Sequence, residues 1–127
     1  MLPIAFQIDI IYDVVWDVEL EPEVEQWIDE LTVKEFATAL PHIERLASRG
    51  NQLRMPSSRS LGDGLFELRF DLGRTARRVT YFFAPDRRIV LLTVFRKQRQ
   101  NERAEIRRAR KAMARCVAED HTAEEDQ

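Results

Sequence analysis

The chain is expected to fold as one α+β domain: a small, mainly antiparallel twisted sheet with two N-terminal helices and one C-terminal helix. Three observations predict this. Between Leu61 and Gln100, three stretches alternate or run apolar as strands do, with Gly62-Asp63-Gly64 and Pro85-Asp86 as turns. Two segments before them and one after repeat apolar residues at helical spacing. At 127 residues, 44% of them apolar, the chain is long enough to bury a single core.

The elements follow in order. Residues 1–14 form an N-terminal extension, open between an extra strand, a partner-binding arm and an artefact of start-site choice. They carry Asp9 and Asp13 and lack a basic start, so they resemble no signal peptide. Val15–Leu20 alternates as a strand. Pro22 then suits the first turn of a helix whose face is Val24, Trp27, Ile28 and Leu31, with Glu21, Glu23 and Glu25 near its positive end. A second helix over Val33–Arg49 stops at Gly50 and buries Phe36, Leu40, Ile43 and Leu46. Pro41 inside it predicts a kink or two abutting helices. Asn51–Ser60 reads as a loop, with Arg59-Ser60-Leu61 a short edge strand.

From Leu65 the alternation places Phe66, Leu68, Phe70 and Leu72 on one side and Glu67, Arg69 and Asp71 on an open face. Gly73–Arg77 reads as a turn, Arg78–Ala84 as a strand. Ile89–Phe95 is the apolar, β-branched run of a central strand covered on both faces. The last helix is predicted from Asn101, an N-cap, to Ala118, with Ile106, Ala109, Met113 and Cys116 or Val117 as its stripe. The domain thus spans residues 15–118, and residues 119–127 are an acidic tail expected to be disordered.

Net charge is −2, but the charges are segregated. Residues 1–43 carry one basic residue against ten acidic, −9; residues 44–115 carry 19 against seven, +12; residues 116–127 carry none against five, −5. Such a distribution fits a polyanion partner, and equally a well-solvated surface. The single cysteine, Cys116, forms no internal disulfide and reads as a helix core residue, which suits a reducing, cytoplasmic setting. No stretch is long and apolar enough for a membrane span.

Phosphate-binding loops of the GxxxxGK[ST] or GxGxxG kind are absent, as is a Gly-x-Ser-x-Gly turn. His42, His121 and Cys116 do not make a zinc site, and His42, beside the second helix's stripe, reads as structural or exposed. A hydrolytic carboxylate pair between Asp17 and Glu30 is the least favoured option, because those acids line outer faces. What remains is a set of cations: Arg59, Arg69 and Arg78 on or beside strands, and Arg96, Lys97 and Arg99 after the last one. Guanidinium groups bind phosphate bidentately and lysine acts as a mobile point charge. RNA carries its own nucleophile, the 2′-hydroxyl, so preorganised cations that stabilise the phosphorane suit both gripping and cutting it.

The string Leu61-Gly62-Asp63-Gly64-Leu65-Phe66-Glu67-Leu68-Arg69, with Arg78-Val79-Thr80-Tyr81-Phe82-Phe83, Phe95-Arg96-Lys97 and Glu105-Ile106, resembles the RelE/HigB toxin superfamily, above all its phage-derived HigB-like branch. The resemblance implies a RelE-like fold and the toxin of a type II toxin–antitoxin module. Such a toxin is a ribosome-dependent mRNA endoribonuclease that inhibits translation by 2′-hydroxyl attack, needing no metal or cofactor. It also implies a cognate antitoxin of helix-turn-helix type from a neighbouring gene, with mRNA and the ribosome as further partners. The expected catalytic residues are Arg69 at the scissile phosphate, Arg78, and Lys97 with Arg96 for transition-state charge or proton transfer. Arg59, Arg77 and Arg99 are the expected RNA-binding residues. The branch usually continues its Lys-Lys element through a Thr-Pro into the last helix, where Gln98–Glu102 here reads QRQNE; Arg96 stands in place of the first lysine, and the last helix has no tyrosine of the kind RelE uses. The alternative on the same fold is a non-catalytic RNA- or partner-binding module.

Overall fold

A computed structural model describes residues 15–125, with side chains through residue 120; the expectations for residues 1–14 and for the last two residues lie outside this range. The elements are β1 (Asp17–Leu20), α1 (Pro22–Glu30), α2 (Val33–Arg49), a 3-10 turn (Gly50–Gln52), β2 (Ser58–Gly62), β3 (Leu65–Leu72), β4 (Thr75–Ala84), β5 (Arg88–Arg96) and α3 (Glu102–Glu125). The five strands form one sheet in the order β1-β5-β4-β3-β2. Three pairings are antiparallel, but β1 runs parallel to β5, so the sheet is mixed. The chain between these parallel partners carries α1, α2 and the strands β2, β3 and β4, which leaves ample length for the crossover a parallel pair requires.

Helices cover both faces of the sheet. On one face, Val24 and Ile28 of α1 and Ala39, Ile43 and Leu46 of α2 pack on Leu68, Phe70, Leu72, Val79, Tyr81, Ile89 and Leu91. On the other, Ala109, Ala112 and Cys116 of α3 pack on Leu65, Phe82, Ala84, Val90 and Leu92. β5 contributes to both clusters and lies between β1 and β4, as its uninterrupted apolar run predicts. The face that carries Glu67 and Arg69 is therefore not open: Glu67 is 1% exposed and Arg69 half-buried.

Local chemistry explains several boundaries. Thr32 caps α2, its hydroxyl accepting from the Glu35 N–H while the Glu35 carboxylate accepts from the Thr32 N–H. α2 runs through Pro41 as a single helix rather than two. Pro41 and Ala37, whose carbonyl loses its partner there, are both exposed, so water can satisfy that carbonyl. α2 ends at Gly50, whose φ of 51° suits glycine; a Cβ there would stand 2.0 Å from the Trp16 indole nitrogen. Arg77, predicted in a turn, lies within β4, which starts at Thr75. α3 continues past Ala118 to Glu125, and Arg88 ties it to β5 through Asp120 at 2.8 Å. No helix among the described residues is long and apolar enough to cross a membrane.

Candidate RNA-binding site

The cations are sorted by strand pairing, because directly paired residues point to the same face and successive residues to opposite faces. Arg59 pairs with Glu67, Glu67 with Thr80, and Thr80 with Thr93, which makes one row across the α3 face. The next row on that face is Arg69, Arg78 and Phe95. The row just beyond it, Phe70, Arg77 and Arg96, belongs to the opposite face, where Phe70 joins the core beneath α1 and α2.

A bulge decides which of the two adjacent cations after β5 joins the site. Thr80 pairs with Thr93 but Tyr81 pairs with Leu91, so Leu92 is the extra residue. Strict alternation from Ile89 would send residue 96 to the α3 face and residue 97 to the other. The extra residue reverses this downstream, as bulges do. Phe95 and Lys97 reach the α3 face, and Arg96 falls beside Arg77 on the opposite one. The Lys97 N–H continues the ladder to the Ala76 carbonyl at 2.8 Å, which fixes the orientation.

The assembled site has two carboxylates threaded among four cations. Glu67 Oε2 lies 3.8 Å from Arg59 Nη1, Arg69 Nε and Arg78 Nε alike. Glu102, in the first turn of α3, lies 3.6 Å from Arg59 and 4.0 Å from Lys97. Depth separates the two acids: the Glu67 side chain is 1% exposed, that of Glu102 37%. Among the described residues neither Glu67 oxygen has a hydrogen-bond donor. Burial pushes the Glu67 carboxyl above its ordinary range, against the opposing pull of Arg78, Arg59 and Arg69. Burial and the neighbouring Arg69 lower Arg78, which nonetheless stays protonated as arginine does. Arg69 is braced from the loop before β2: its N–H donates to Ser57 O at 2.8 Å and Nη1 points at Met55 Sδ, 3.1 Å away. Asn101 joins strand end to helix start, its side chain donating to Arg96 O and accepting from the Gln98 N–H.

Of the seven cations expected from the sequence, the structure brings together Arg59, Arg69, Arg78 and Lys97. It leaves Arg77 and Arg96 on the far face, where burial and the proximity of Arg96 lower Arg77. Arg99 is exposed in the turn before α3. Sequence reasoning gave no role to Glu67 and Glu102. The signal for Glu67 is its i, i+2 spacing to Arg69 within a strand, which places both on one face. No sequence signal identifies Glu102, because its contact depends on how α3 docks.

The acids between Asp17 and Glu30 have structural work. Glu19 holds Arg88, and Glu23 accepts from the Val94 N–H at 2.9 Å and from Arg108 of α3. Among the described residues no three His, Cys, Asp or Glu side chains are placed to hold a metal ion. His42 stacks on Phe70 at 4.8 Å, and burial and Arg45 lower its pKa. Cys116 is buried on the sheet-facing side of α3, its thiol pushed up to about 11, chiefly by burial.

The structure is thus a mixed sheet between helices, with a cationic cluster at the junction of β5 and α3. Residues 26–115 match the family model described as Phage derived protein Gp49-like (DUF891), a toxin-like family of the RelE/HigB type. The match covers well over half of the chain, and the protein belongs to this family. No curated protein matches the chain.

Proposed function

We propose that this protein is the toxin of a type II toxin–antitoxin module and that it cleaves mRNA on the ribosome by metal-independent attack of the 2′-hydroxyl. The observation that carries the reading is the cluster of Arg59, Arg69, Arg78 and Lys97 around Glu67. A scissile phosphate enters at the solvent side, at Arg59 and Lys97, and replaces the Glu102 carboxylate between them. Arg69 and Arg78, fixed behind by Glu67, supply positive charge where the phosphorane develops, which is where preorganised donors lower a barrier most. The 2′-hydroxyl proton passes to Glu102, the 2′-oxygen bonds to phosphorus, and the bond to the 5′-oxygen breaks as Lys97 protonates it. The products are a 2′,3′-cyclic phosphate and a 5′-hydroxyl end. Glu67, at 1% exposure, positions the arginines and does not touch RNA.

The test is controlled expression, alone and with the protein encoded by the adjacent gene, with primer-extension mapping of cellular mRNA. Expected are growth arrest, new 5′ ends in translated messages and relief by an antitoxin partner. Arg69→Ala and Lys97→Ala should each lower cleavage by about 10²–10³ with the fold retained. Arg77→Ala and Arg96→Ala, on the far face, should cut as the wild type does. Salt-sensitive RNA binding with no new 5′ ends would instead make the cluster a non-catalytic RNA grip.

A further inference from the structure

The side of α3 turned away from the sheet takes no part in the cluster. Ala109, Ala112 and Cys116 are buried. On the opposite side of the helix Arg103, Arg107, Lys111 and Arg115 follow one another at every fourth position, all exposed. At ~100° and ~1.5 Å per residue they form a ridge about a third of the circumference wide and roughly 18 Å long. The helix's other basic residues are engaged: Arg108 with Glu23 and Glu105, and Arg110 with the carbonyls of Leu61 and Gly62. Among the described residues none of the four ridge cations is in a salt bridge. The ridge starts at Arg103, next in the chain to Glu102, which holds Arg59 and Lys97 at the cluster. It stops where Glu119 and Asp120 follow.

We propose that this ridge is a second RNA-contact surface, which grips the backbone of the strand whose scissile phosphate occupies the cluster. The inference rests on the cluster being an RNA site. Two features favour RNA over an acidic protein segment. The cations recur at a regular ~6 Å rise, as a chain of phosphates requires. The other exposed residues between them are Ala104, Arg108 and Ala114, which offer no large apolar anchor of the kind a protein interface uses at its centre. An apolar hollow lined by Asp63, Met113, Ala114 and Val117 opens on the helix flank beside the C-terminal part of the ridge, and none of the four cations lines it.

The test uses the full chain and two fluorescein-labelled RNAs, one of about 16 nucleotides and one of about four, both 2′-O-methylated throughout so that no cleavage occurs. The R103Q/R107Q/K111Q/R115Q variant should retain its circular dichroism spectrum. It should bind the long RNA more weakly by up to roughly fivefold per charge at ~0.1 M salt, with a salt slope smaller by ~0.7 per charge. The short RNA should bind as tightly as it does to the wild type. Unchanged affinity for the long RNA, or an equal loss on the short one, overturns the proposal. So does a variant that keeps RNA affinity and loses only its protein partner. A wild type whose long-RNA affinity depends on the ridge but which never cuts mRNA upholds the ridge and sinks the cleavage reading, so the two failures are distinct.

Discussion

Arg78→Met should destabilise the fold through Glu67, and the effect should vanish when Glu67 is neutral. Both side chains are nearly inaccessible, 9% and 1% exposed, and stand 3.8 Å apart. At an effective dielectric of 20 that separation corresponds to ~4 kcal/mol of attraction. Arg59 and Arg69 lie as close to the carboxylate, but at 48% and 24% exposure they are better screened by water. Methionine preserves most of the buried stem while removing the charge. Stranding a buried carboxylate typically costs ~3–5 kcal/mol, and the two remaining arginines reduce the expected loss to about 2–3 kcal/mol. In a Glu67→Gln background the same substitution should cost less than ~1 kcal/mol, so the double-mutant cycle isolates the coupling. Urea unfolding followed by tryptophan emission reads it, because Trp16 and Trp27 both pack against the main core.

The same substitution has a pH signature. Glu67 is raised in the folded state, so between its unfolded and folded pKa values the native chain binds more protons than the unfolded one. Stability contributed by this group is therefore lost as pH rises through that window. Arg78→Met raises the carboxyl further, which makes the loss larger. Its deficit should narrow on acidification towards the ordinary carboxyl value of 4.5, and Glu67→Gln should abolish that dependence. Equal costs in both backgrounds, with no change between pH 7 and pH 5, would refute the picture of a buried carboxylate held by Arg78.

Two further outcomes test the packing on either side of the sheet. Gly50→Ala should lower stability by more than ~2 kcal/mol and shift the tryptophan emission, because the new Cβ would stand 2.0 Å from the Trp16 indole at a φ of 51°; an unchanged urea midpoint would place Trp16 elsewhere. Cys116, buried and with its thiol pushed up to about 11, should resist a thiol reagent at pH 8 in the folded protein and react fully in urea. Immediate labelling of the native chain would mean that α3 does not lie on the sheet as described.

Much of this architecture can be read from periodicity, because most elements obey one local rule each. The alternation of β3, the doubly apolar run of β5 and the stripe of α3 all reappear as packed surfaces. What periodicity misses is non-local. Pairing of β1 with β5 joins Asp17 to Arg88, and nothing in VWDVEL records a parallel partner so distant in the chain. The expectation of an open face at Arg69 failed because α3 returns across that side and brings Glu102 with it. The split of Arg96 from Lys97 escaped because an apolar run such as Ile89–Phe95 carries no mark of a bulge: Leu92 and Val90 are equally at home beneath α3. The family resemblance supplied catalytic roles for both residues, but only the register assigns Lys97 to the cluster.

The two acids in the cluster differ in what a phosphate can do to them. Glu102 faces water, and its pairs with Arg59 and Lys97, at 3.6 and 4.0 Å, are longer than a hydrogen bond. Exposed pairs of that kind contribute roughly 0–1 kcal/mol. A phosphate making charge-assisted, bidentate contacts with an arginine binds more strongly than that, so under the proposed reaction it would displace Glu102 at little cost. Glu67 cannot be displaced in this way, because it is sealed beneath the arginines it holds. Removing it would leave three guanidinium groups without the one carboxylate that lies 3.8 Å from each of them. The E-L-R spacing of Glu67 and Arg69 then has a physical meaning. One acid fixes the cations in place; under the proposed cleavage reaction the second, at the rim, would be exchanged for substrate and left beside the 2′-hydroxyl whose proton must go.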